Sequence, residues 1–156
     1  MSVVTQIYDA IAAWTPTYDS DVTVPVKNYD EVDNTFQDAN APHRFLLYGP
    51  SPAEMEAGAF ITLGKLQNLT WTIHDTLYLK ASGTGVGYAE VCGKLLEYSA
   101  DYVEVVRQNR APTTQSHITS VACVPGILYW PPGDRTGTQY FGVDCVLTVQ
   151  EVVSGA

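Results

Sequence analysis

The chain has 156 residues, 46% hydrophobic and 16% charged, with a net charge of -9. That length and composition describe a single folded domain over residues 1–156 with a core of its own, and exclude a disordered segment. The acidic balance excludes a protein that gains affinity by neutralising nucleic-acid phosphates; its surface repels DNA.

Residues 3–14 predict a short amphipathic helix. Val3, Val4, Ile7, Tyr8, Ile11 and Trp14 share one face, Ser2 is the expected N-cap and Pro16 the stop. Val22–Val26 alternates weakly and reads as an edge strand, because Pro25 cannot donate to a ladder. Tyr29–Pro42 is a polar loop with Asp30, Glu31, Asp33 and Asp38; it lacks the glycine and closing glutamate of a calcium loop, so a solvated acidic loop is expected. Arg44–Tyr48 is a short strand stopped by Gly49-Pro50-Ser51-Pro52.

Phe60–Gly64 and Leu69–Lys80 predict an antiparallel pair. The second strand puts Leu69, Trp71, Ile73, Asp75, Leu77 and Leu79 on one face, and the polar break at Asp75 predicts a bulge or strand end there. A glycine-rich turn, Ser82-Gly83-Thr84-Gly85-Val86-Gly87, then opens the longest helical pattern, from Tyr88 to about Arg110. Its expected buried stripe is Tyr88, Val91, Cys92, Leu95, Leu96, Ser99, Tyr102, Val103 and Val106, with Pro112 as the stop. Two long strands follow, His117–Trp130 and Gln139–Val153, joined by the turn 131–138. This order predicts an α+β domain: a mainly antiparallel sheet packed by an N-terminal helix and one long central helix.

Strand, glycine loop and helix raise the possibility of a phosphate cradle. The spacing is G-x-G-x-G, no Gly-Lys-Ser/Thr follows, and no second strand–helix alternation appears. The glycines read instead as a sharp turn with a clean helix start. A small nucleotide-binding enzyme on the Gly83–Gly87 turn remains the alternative from another class. No metal or cofactor is expected. Cys92, Cys123 and Cys145 match no zinc spacing and read as buried free thiols. His43, His74 and His117 sit in or beside strands, where a surface or hydrogen-bonded imidazole is the ordinary case. No catalytic motif occurs, so no enzyme is expected. Neither a signal peptide nor a membrane span is expected, the latter needing roughly 20 apolar residues.

The chain is rich in large aromatics, with 10 tyrosines and 3 tryptophans. The candidate contact site is the hairpin tip: Tyr129, Trp130, Pro131, Pro132, Asp134 and Arg135. Aromatics beside rigid prolines suit an interface anchor, and Asp134 and Arg135 suit pairing across it. Tyr129 and Trp130 folding back onto their own sheet is the equal alternative. Tyr29–Pro42 and Pro50–Ala59 are long enough to order against a partner.

The pattern resembles the tail terminator, or neck, proteins of long-tailed bacteriophages. The resemblance rests on the helix Ile7–Trp14, the strand Leu69–Lys80, the turn into Tyr88-Ala89-Glu90-Val91 and the last strand, Phe141–Val149. It covers most of the chain in element order. It implies a subunit of a homo-oligomeric ring, a hexamer, on top of the tail tube. Such a ring ends tube polymerisation and joins the tail to the head connector or head-closure protein, while genomic DNA passes through its lumen without specific binding. The implied location is the virion neck, with the host cytoplasm during assembly. A head-closure or tail-tube protein is the neighbouring alternative. The acidic loop Tyr29–Pro42 maps onto no shared feature of that family.

Overall fold

The computed structural model describes residues 3–33, 35–47, 60–62, 66–83, 85 and 87–154. In chain order the elements are α1 (Val4–Ala12), β1 (Val26–Lys27), a 3-10 turn (Asp38–Asn40), β2 (His43–Leu47), β3 (Phe60–Thr62), β4 (Leu66–Ala81), α2 (Tyr88–Gln108), β5 (Ser116–Trp130) and β6 (Thr138–Ser154). The fold is α+β, with the strands in one sheet of order β1-β2-β4-β6-β5 and β3 pairing with β4 beyond β2. Among the described residues every pairing is antiparallel except β1 with β2, which is parallel, so the sheet is mixed.

Both helices lie on one face of the sheet. α1 buries Ile7, Tyr8 and Ile11, and α2 buries Val91, Leu95, Tyr98, Tyr102 and Val106. These meet Leu46 of β2, Ile73 and Leu77 of β4, and Val143, Cys145, Leu147 and Val149 of β6 in one core. The alternation in β4 and β6 supplies the inward side chains, since every second residue of a strand shares a face.

A second, smaller core lies on the opposite face. Phe45, Tyr78, Ala81, Trp130 and Tyr140 form it, and Phe36 and Val32 from the acidic loop pack over it. Phe36 lies 5.1 Å from Trp130, 5.2 Å from Phe45 and 5.2 Å from Tyr140, centroid to centroid. The loop expected to be solvated is therefore also a cover. Asp30, Glu31 and Asp33 are exposed while Phe36 packs inward. Asp38 accepts from the Ala81 N–H at 2.8 Å and from Lys80 at 3.1 Å, which ties the loop to the end of β4.

Several expectations need correction. The predicted edge strand over Val22–Val26 shrinks to Val26–Lys27, with the Pro25 carbonyl accepting from the Arg44 N–H at 2.9 Å. Asp75 breaks nothing: it pairs in register with Cys145, and the irregularity falls between Tyr78 and Lys80. At that irregularity β4 and β6 approach so closely that a Cβ on Gly142 would collide with the Leu77 carbonyl, so only glycine fits.

The α2 stripe is rotated from its predicted place. Tyr98 is fully buried, whereas Tyr88 and Leu96 are each 57% exposed and Val103 is 42% exposed. α1 begins without a side-chain cap at Val3. The Val3 N–H instead donates to the buried Glu151 carboxylate at 2.6 Å. Ser2, Pro50–Ala59 and the strand ends at Tyr48, Leu63 and Gly64 lie outside the described residues.

Candidate functional site

The turn between β5 and β6 is built by Asp134. Its Oδ1 accepts from the Thr136 N–H at 2.9 Å and the Thr136 hydroxyl at 2.6 Å, while its carbonyl accepts from the Gly137 N–H at 2.9 Å. The Thr136 bonds hold the Asp134 pKa below the ordinary carboxylate value. One carboxylate oxygen thus serves the turn itself.

Trp130 is 5% exposed, its ring 4.5 Å from Phe45 and 5.3 Å from Tyr78. It is core, not an anchor held out to a partner, because β5 turns its face toward the second core at that position. Pro132 is buried as well, Pro131 is half-buried, and the Trp130–Pro131 peptide is cis. Tyr129 is half-buried and its carbonyl accepts from the Tyr78 hydroxyl at 3.0 Å. Of the predicted contact residues, Asp134 and Arg135 remain exposed.

Behind the turn is a cleft of about 190 Å³ whose lining includes Thr76, Tyr78, Tyr129, Gly133, Arg135 and Asp144. Asp144 binds the buried His74, with Nδ1 3.1 Å from each carboxylate oxygen, and accepts from the Thr76 hydroxyl at 3.1 Å. A histidine–carboxylate pair beside a hydroxyl is the outline of a nucleophile site. Here the hydroxyl donates to the carboxylate rather than to the imidazole, so the order of a nucleophile, base and orienting acid is not met. His43 is buried, stacked on Phe45 at 4.5 Å, and His117 is exposed on β5.

The glycine turn borders a broader groove of about 560 Å³, lined by Phe36, Asp38, Ser82, Gly83, Gln139 and Tyr140 among others. Its ionised side chain is Asp38, held below the usual carboxylate pKa by the Ala81 N–H and Lys80. A carboxylate there opposes a phosphate. Gly85 takes φ of 80°, which turns the chain into α2. Among the described residues, no group of three or more His, Cys, Asp or Glu side chains is placed to hold a metal ion. No described helix is long and apolar enough to cross a membrane.

The least satisfied surface is one the sequence reading did not single out. β5 is 15 residues long and forms the end of the sheet, paired with β6 alone among the described residues. Val124 is 59% exposed and Ile127 45% exposed on it. Between this edge strand and α2 runs a groove of about 220 Å³, lined by Val103, Arg107, Arg110, Ile118, Ser120 and Val121 among others. The exposed Leu96 and Val103 share one side of α2, seven residues apart on the helix. A signal was present in the sequence: two apolar arcs on α2, of which the fold buries one.

Neither a scan against protein-family models nor a search of curated proteins found a match to this chain.

Proposed function

We propose that the chain is a structural subunit of the neck of a long-tailed bacteriophage, a tail terminator. It assembles head to tail into a ring that caps the tail tube and meets the head connector. The observation that carries this reading is the long edge strand β5, on which Val124 and Ile127 are exposed. A long edge with apolar side chains is a template for pairing with another chain, and proteins that stay monomeric blunt such edges. A head-to-tail contact that closes by rotation makes a ring; one that does not close makes a filament. The net charge of -9 fits a lumen that DNA slides through. On this reading the protein is no enzyme and works in the virion after assembly in the host cytoplasm.

Native mass spectrometry and negative-stain imaging of the purified protein test it. A closed ring of about six subunits is expected. A long polymer identifies a tube protein instead. A monomer that binds nucleotide, with binding lost in Gly85→Val, supports the enzyme alternative. Val124→Lys with Ile127→Lys places charge on the edge and should abolish the ring while leaving the circular dichroism spectrum native. Unchanged assembly in that variant removes β5 as the contact.

A further inference from the structure

Two of the three thiols stand directly opposite each other on neighbouring strands: Cys123 of β5 pairs in register with Cys145 of β6. Directly opposed residues in an antiparallel ladder have Cα atoms about 4.5 or 5.5 Å apart, depending on the type of pair. Both values fall inside the roughly 4.4–6.8 Å that a disulfide spans. The backbone therefore already meets the distance requirement at this position. The side chains point to the same face, toward the helices, where Cys145 lies in the larger core and Cys123 packs against it. Both cysteines are free thiols.

We propose that Cys123 and Cys145 form an oxidisable pair that closes a cross-strand disulfide and staples the edge strand β5 to β6. Their environments assign the roles. Cys123 is half-buried on the last strand of the sheet, within reach of a small oxidant, whereas Cys145 is fully buried. The neighbouring Cys145 thiol lowers the Cys123 pKa, while burial raises that of Cys145. Cys123, the more accessible of the two, is the attacking thiolate.

With a low-molecular-weight disulfide such as oxidised glutathione, the Cys123 thiolate attacks one sulfur and a glutathione thiolate leaves, taking up the proton that Cys123 gave up. Cys145 then loses its proton and attacks the Cys123 sulfur of the mixed disulfide. The second glutathione leaves as a thiol. Two protein thiols are oxidised and one glutathione disulfide is reduced, with two electrons transferred. Cys92, on α2, has no cysteine opposite it in the sheet and stays reduced. The site stands independently of the neck reading, since it depends only on strand register.

The purified chain is incubated with oxidised glutathione, quenched with N-ethylmaleimide under denaturing conditions, and measured by intact mass and peptide mapping. Reduced protein should take three maleimides, matching its three cysteines. Oxidised protein should take one, on Cys92, and yield a linked Cys123–Cys145 peptide. Cys92→Ser should keep the link. Cys123→Ser, with a native circular dichroism spectrum, should lose it and leave Cys145 reduced. Three maleimides after oxidant, a link involving Cys92, or glutathione left on Cys123 without a link each overturns the proposal.

Discussion

A guanidinium excluded from water needs its donors matched, and Arg44 makes four bonds to three parts of the chain. Nε and Nη2 reach Asp75 at 3.2 and 2.6 Å, Nη1 reaches the Trp14 carbonyl at 2.7 Å and Nη2 the Ile11 carbonyl at 3.1 Å. Tyr102 donates to the same carboxylate at 2.7 Å, so β2, β4, α2 and the end of α1 meet at one charge pair. Burial alone would lower the Arg44 pKa, but the charge and hydrogen bonds of Asp75 reverse the sign and raise it. Asp75→Asn leaves that cation uncompensated and should cost about 3–5 kcal/mol in urea unfolding, whereas Arg44→Met with Asp75→Leu should cost less than either single change. A loss below about 1 kcal/mol for Asp75→Asn would contradict this role. His43 gives a pH dependence. Desolvation lowers its folded pKa below the ordinary 6.5, so the unfolded chain binds more protons just below that value. Stability from this group is full above pH 6.5 and falls as pH drops through the folded pKa. Replacing His43 with Gln should flatten the urea midpoint between about pH 5 and 7 relative to the wild type; an identical slope would exclude His43 as its source.

At the scale of elements, α2 separates what pattern can show from what it cannot. Leu95 and Leu96 are neighbours in sequence and equally apolar, yet Leu95 is 1% exposed and Leu96 57% exposed. Leu95→Ala should cost about 2–5 kcal/mol in thermal or chemical unfolding, and Leu96→Ala less than about 0.5 kcal/mol. Equal losses would place the buried face elsewhere. The position of α2 was legible, and so were the long strands and the inward face of β4, because periods of 3.6 and 2 are local properties. Which apolar arc is buried was not legible, since that depends on the sheet beneath the helix. Tyr98 was missed because a hydroxyl reads as polar, although its ring is fully buried. Asp75 read as a defect because its partner, Arg44, lies 31 residues earlier in the chain. The parallel pairing of β1 left no trace in a segment of two residues. At the candidate site, the hairpin turn was legible from its prolines and glycines. The inward face of Trp130 was not, because Phe36 and Phe45, which enclose it, come from distant segments.

For the molecule as a whole, one sheet carries a core on each face, the larger beneath the helices and the smaller beneath the acidic loop. The cover of the smaller core is a loop, so its seal depends on Phe36 and on the ties of Asp38. The bond from the Val3 N–H to Glu151 has a different consequence. It places Val3, just before α1, beside Glu151 near the end of β6, so the first and last described elements are neighbours. Residues 3–154 should then tolerate closure into a circle and reopening elsewhere. A glycine–serine linker of about six residues, with a root-mean-square reach of roughly 13 Å, would join Ser154 to Val3. New ends between Ala111 and Pro112 fall in the turn between α2 and β5, where Ala111 is exposed. This circular permutant should fold, with a native circular dichroism spectrum and a urea midpoint close to that of the parent. An unfolded product would mean that α2 and β5 must be covalently continuous for the sheet to form; a folded one would supply a scaffold whose termini can be moved to the α2–β5 edge.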